Sequence, residues 1–168
     1  VFRKFSLVLL IVVGGAASAG VAASEERGIR GAANDTLIRV AINEAWVKED
    51  FDTFNRLNLQ IYEGRVLVSG RVPDQVLADK AVQAAWKTED VREVINEIEI
   101  SDGGGIKDFA NDTLINARLD AGLLFDGDVN SINYSTRAVG GTVFLLGVAQ
   151  DRAELDRVFQ IARDIPKI

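Results

Sequence analysis

The chain has 168 residues, 48% of them hydrophobic, with a mean hydropathy of +0.10 and a formal net charge of −6. It contains no cysteine and no histidine, which excludes disulfides, thiolate nucleophiles, the usual zinc sites and histidine acid–base catalysis. The acidic balance argues against nucleic acid as a partner, so any contact with an anionic surface needs a local basic patch.

At the N-terminus, Arg3-Lys4 precedes the nine-residue apolar run Phe5–Val13 and a small-residue stretch with an A-x-A site ending at Ala19. This is the pattern of a secretory leader, and nine residues are too few to cross a bilayer that needs about twenty. The expected leader spans residues 1–23, since Val21-Ala22-Ala23 offers a second cleavage site, and 24–33 reads as a linker. Removing residues 1–19 takes away two positive charges from −6 and leaves −8.

From residue 34 the chain repeats itself. NDTLI stands at Asn34–Ile38 and again at Asn111–Ile115, an offset of 111 − 34 = 77. The same offset aligns Gly64–Gly70 with Gly141–Gly147, and Asp74, Asp79, Lys80, Gln83 and Ala85 with Asp151, Asp156, Arg157, Gln160 and Ala162. A match held in register over such a length is a duplication. The modules span 34–101 and 111–168, joined by a Gly-rich linker at 102–110.

In the first module, Leu37, Ile38, Ala41, Ile42, Ala45 and Trp46 recur at helical spacing, predicting a helix over about 35–48 capped by Asn34 or Asp35. Alternating Leu57, Leu59, Ile61 and Val66, Val68, Val72 flank Tyr62-Glu63-Gly64-Arg65 and predict a β-hairpin. Asp74 caps a second helix over about 75–86, with Val76, Leu77, Ala81, Ala84 and Ala85 inward, and Val91–Ile100 reads as a third strand. Gly70 and Gly147 fall on the inward phase of their strands and read as packing glycines.

The second module predicts a helix over about 112–124, a strand carrying Ile132, Tyr134 and Thr136, a Gly140-Gly141 turn, and a strand over 142–148. Asp151-Arg152-Ala153-Glu154 reads as a capping box opening a last helix. Most of the final strand is missing before Ile168, so the expectation is a clipped sequence. The fold class is α+β: two α-β-β-α-β modules, each a three-stranded mixed sheet with both helices on one face.

The order α-β-β-α-β, the hairpins "GRVLVSGRVP" and "GTVFLLGVAQDRAELDR" and the closing "VREVINEIEI" resemble the BON domain. Two copies behind a leader are similar to the tandem-BON outer-membrane lipoproteins of Gram-negative bacteria. The resemblance implies a periplasmic, non-enzymatic envelope-maintenance protein, without cofactor, that binds anionic phospholipid through the first helix of its second module. Carried onto this sequence, the lipid-binding surface is Leu114, Arg118 and Leu124, to which Phe125 is added as an aromatic at the helix end. Leu114 stands where the family often has tryptophan, Asp120 where a basic residue is found, and the lipobox cysteine is absent. The alternative is a soluble module binding envelope proteins under envelope or osmotic stress. Asp126-Gly127-Asp128 reads as a turn, without the further ligand spacing of a metal site.

Overall fold

The computed structural model describes the backbone of residues 7–13, 21–54, 56–101 and 106–165, and side chains over 30–49, 56–101 and 109–165. The elements of the first half are β1 (Leu7–Val13), α1 (Val21–Phe54), β2 (Leu57–Tyr62), β3 (Arg65–Val72), α2 (Gln75–Trp86) and β4 (Glu93–Ile100). Then follow α3 (Ile106–Phe125), a 3-10 turn (Ser131–Asn133), β5 (Tyr134–Val139), β6 (Thr142–Ala149) and α4 (Arg152–Asp164). They form two units, residues 18–103 and residues 1–17 with 104–168.

In the first unit β3 is the central strand, antiparallel to β2 and parallel to β4. Ile38, Ile42 and Trp46 of α1 and Ala78, Ala81 and Ala85 of α2 pack into one cluster with Val66, Val68 and Val72 of β3. Both helices therefore cover the same face of a mixed sheet, as the periodicity predicts. The small side chains of α2 let its backbone approach α1, and the buried Trp46 Nε1 donates to the Ala81 carbonyl at 3.2 Å. Trp86 is on the other side of α2 and is 53% exposed.

The second unit repeats the plan. Ile115, Leu119 and Leu123 of α3 and Val158 and Ala162 of α4 share a cluster with Val143 and Leu145 of β6. Among the described residues no strand follows α4. Its place beside β6 is taken by β1, parallel, with Leu7 opposite Val143 and Val13 opposite Ala149. Shifted by 77, this is the register of β4 on β3, where Val94 lies opposite Val66 and Ile100 opposite Val72. The run expected as a leader core thus forms an edge strand. Such a short apolar run also fits a buried parallel strand, and periodicity does not separate the two.

The helices run past their expected limits. The linker expected at 24–33 lies within α1, and of the linker at 102–110, residues 106–110 belong to α3 while 102–105 lie outside the described residues. Asp35 and Asp112 are consequently mid-helix and cap nothing. Each reaches instead to the turn of its own hairpin: Asp35 Oδ2 and Oδ1 accept from the backbone N–H of Glu63 and Gly64, both at 2.8 Å. Asp112 does the same for Gly140 and Gly141 at 2.7 and 2.9 Å. The two-residue turns hold positive φ at both central positions, 49° and 76° in one, 60° and 80° in the other. That is the primed geometry which matches strand twist.

Gly70 and Gly147 sit where neighbouring backbone passes closely. A Cβ on Gly70 (φ 133°) would collide with the Arg56 carbonyl oxygen and come 2.9 Å from Leu57 Cα. On Gly147 it would collide with the Asn133 carbonyl oxygen and lie 2.7 Å from Tyr134 Cδ1. The capping box also differs from expectation. Asp151 accepts from Glu154 N–H at 2.9 Å, but Glu154 returns to Gln150 N–H (2.6 Å) and Asn130 N–H (2.8 Å), not to the cap residue.

The turn clamp is testable. Asp112→Ala deletes two hydrogen bonds to a carboxylate and is expected to destabilise the second unit by about 2–3 kcal/mol, read by urea unfolding. Asp112→Asn, which keeps one acceptor oxygen, should cost less.

Candidate functional site

The outer face of α3 carries the residues to which the sequence points. Of the adjacent pair Leu114 and Ile115, the helix buries Ile115 (6% exposed) and leaves Leu114 at 40%. At about 100° per residue, Leu114, Arg118, Ala121 and Phe125 follow one another at i, i+4, i+7 and i+11 along a single stripe. Phe125 is 84% exposed, and Leu124, one step round the helix, 65%. Arg118 is exposed and has no ion-pair or hydrogen-bond partner among the described residues. Asp120, on the same helix, accepts from the Thr136 hydroxyl, so its carboxylate is engaged with the sheet.

The structure adds Ile132 to this end of the module. The alternation Ile132-Tyr134-Thr136 predicts an inward strand residue, but the strand begins only at Tyr134. Residues 131–133 form a 3-10 turn in which Asn133 N–H donates to Asn130 O at 3.0 Å, and Ile132 is 86% exposed. The turn packs against α3. The signal that finds it is the preceding set of turn-forming residues, Asp126, Gly127, Asp128, Asn130 and Ser131, which delays the strand.

Beside this apolar end, Asp126 Oδ2 lies 2.7 Å from Arg157 Nε on α4. The hydrogen bond from Arg157 holds the Asp126 carboxyl below its ordinary value. The other carboxylate oxygen accepts from Asp128 N–H at 3.1 Å, closing an Asx turn. Among the described residues no His/Cys/Asp/Glu group has the arrangement of a metal site, and no helix is long and apolar enough to cross a membrane.

The first module also exposes apolar residues on its first helix: Leu37 is 67% exposed, Val40 50% and Val47 55%. Leu37 and the exposed Ala41 were expected to face inward with Ile38 and Ile42, and the structure corrects both. A helix of this curvature seats only one of each adjacent pair on the sheet.

The BON domain profile matches residues 34–102 and 111–168. The chain belongs to the BON-domain family. Among curated proteins, this BON protein is 36% identical over 135 residues to a protein described as "Uncharacterized protein in gshII 5'region" from Anaplasma centrale, covering 79% of this chain and 87% of that one. It is 30% identical over 144 residues to the outer membrane lipoprotein DolP of Haemophilus influenzae, covering 84% and 75%. The 21 kDa hemolysin of Actinobacillus pleuropneumoniae is 29% identical over 130 residues, covering 76% and 64%.

A pH dependence follows from the Asp126–Arg157 pair. The folded-state pKa of Asp126 is depressed, so its contribution is present at neutral pH and declines as pH falls below about 4, the unfolded carboxylate value. Arg157→Gln should flatten the acid limb of the stability curve measured by thermal unfolding between pH 3 and 7.

Proposed function

We propose that this BON protein is an exported, non-enzymatic envelope protein that binds anionic phospholipid through α3 of its second module. The observation that carries the reading is the apolar end formed by Leu124, Phe125 and Ile132, with the unpaired Arg118 and Leu114 on the adjoining stripe. Aromatic and aliphatic side chains at a helix end enter the headgroup boundary, while a cation beside them meets lipid phosphate. The likeness to an outer membrane lipoprotein supports a periplasmic, outer-membrane-associated location. On this reading the protein requires no cofactor and its ligand is the membrane itself.

A second reading draws on Leu37, Val40 and Val47 of α1. These form a comparable exposed apolar strip in the first module and favour contact with envelope proteins there.

Co-sedimentation of the full chain with vesicles decides the first reading. Binding is expected to vesicles containing phosphatidylglycerol and not to neutral phosphatidylcholine vesicles. A basic residue at an anionic surface contributes about 1 kcal/mol, so Arg118→Glu should weaken binding at least about fivefold. Phe125→Asp should weaken it further. No sedimentation with anionic vesicles at low salt would rule the reading out.

A further inference from the structure

Between residues 34 and 100 the chain has only three lysines, Lys48, Lys80 and Lys87, and five arginines. All three lysines line one cleft of about 370 Å³ between α1 and α2, together with Ala45, Glu49 and Gln83. Lys80 is held by Glu49, Nζ to Oε2 at 3.3 Å. Lys48 and Lys87 are exposed and have no acidic partner among the described residues. Its described lining residues therefore carry a surplus of two positive charges, inside a module whose residues 34–100 hold thirteen acids and eight bases.

The second module supplies an internal comparison. At the offset of 77, the Glu49–Lys80 pair becomes Asp126–Arg157, again an ion pair, at 2.7 Å. The two unpaired cations are replaced: Lys48 by Phe125 and Lys87 by Asp164. The space is replaced too, since Ala45 and Ala84 become Gly122 and Ile161, and a Cβ on Gly122 would come 2.7 Å from Ile161 Cγ2. One copy of the duplicated groove is open and basic; in the other Ile161 closes against Gly122, and the exposed Phe125 stands at the Lys48 position.

We propose that the α1–α2 cleft of the first module is an anion site for a phosphate-bearing group, with Lys48 and Lys87 as its charge contacts and Gln83 as an amide donor. Two ammonium groups not already neutralised match a compact, doubly charged or bridging anion, and lysine acts there as a point charge. The volume suits a small phosphate ester, at the lower end of ligand sites of about 300–1,000 Å³. The site is separate from the α3 surface and does not depend on it.

The test uses the full chain at low salt with two probes: glycerol phosphate in solution, followed by amide shifts, and vesicles containing phosphatidylglycerol. Saturable shifts at Lys48, Gln83 and Lys87 are expected, weakened at least tenfold in Lys48→Gln/Lys87→Gln. Glu49→Gln, which removes the competing carboxylate, should tighten binding. If the double variant also loses vesicle binding, the phosphate belongs to a lipid headgroup; if it loses only the soluble ester, the ligand is a free phosphate ester. Arg118→Glu should leave glycerol phosphate binding unchanged, which separates this site from the α3 surface. Absence of saturable shifts in the wild-type chain, or equal binding by the double variant, would overturn the proposal.

Discussion

The hairpin turn in each module is held by a carboxylate from the first helix, and the arrangement of the unit depends on that contact. A two-residue turn pairs its flanking residues, Tyr62 with Arg65 and Val139 with Thr142, and leaves the two central N–H groups without ladder partners. Orphan backbone donors are costly unless satisfied. Asp35 and Asp112 accept both donors at once, which fixes the first helix along its axis and in rotation relative to the sheet. With the helix so pinned, the residue three positions on, Ile38 or Ile115, faces the core, and the leucine before it faces out. The repeated pentapeptide NDTLI thus specifies an anchor, an outward leucine and an inward isoleucine within five positions.

Much of this fold was legible in the sequence because its strands alternate and glycine fills three of the four positive-φ positions of its hairpin turns, Glu63 being the fourth. The duplication doubled each signal, so the central strands and their turns emerged from pattern alone; on α2, Ala81 and Ala85 are buried as expected, but Val76 is 65% exposed and Ala78 takes the inward place. What escaped was governed by contacts distant in sequence. Asp35 reads as a helix cap because aspartate before an apolar stripe commonly is one, and its bond to a turn 28 residues away leaves no local trace. Leu37 and Ala41 read as core since they are apolar at helical spacing, yet a single sheet face accommodates a narrower stripe than the sequence offers. The α3 surface was legible as a set of residues, but Ile132 was hidden by an alternation that the preceding turn interrupts.

Duplication also explains how two modules with one architecture present different chemistry. The core positions stay apolar while their residues change, as Trp46 to Leu123, Ala78 to Leu155 and Ala81 to Val158, and an ion pair recurs at the same positions, Glu49–Lys80 and Asp126–Arg157. Around that pair the charge changes as well. Lysine to phenylalanine at one flank and lysine to aspartate at the other removes the basic pair, and none of these four residues belongs to a buried cluster. The two pairs differ in setting: Glu49 and Lys80 are both about half exposed, whereas the Asp126 side chain is 9% exposed, so the exposed pair contributes little net energy and the second contributes more.

The edge of β6 shows the same economy from the backbone side. Val143, Phe144, Leu145 and Leu146 are all buried, so β6 is covered on both faces and its free edge is the one remaining polar surface of the strand. β1 satisfies that edge with seven residues in the register that β4 takes on β3. Backbone pairing is indifferent to side-chain identity, and an apolar strand suits the edge position beside a strand buried on both faces. A run such as Leu7–Val13 therefore meets two physical requirements at once, those of a membrane-targeting core and those of a central-sheet neighbour. It serves one of them at a time: a segment inserted in a bilayer or removed by cleavage cannot pair with β6. The N–H and C=O groups along that edge of β6 would then be open to pairing with another strand, since an exposed edge flanked by buried apolar faces invites association.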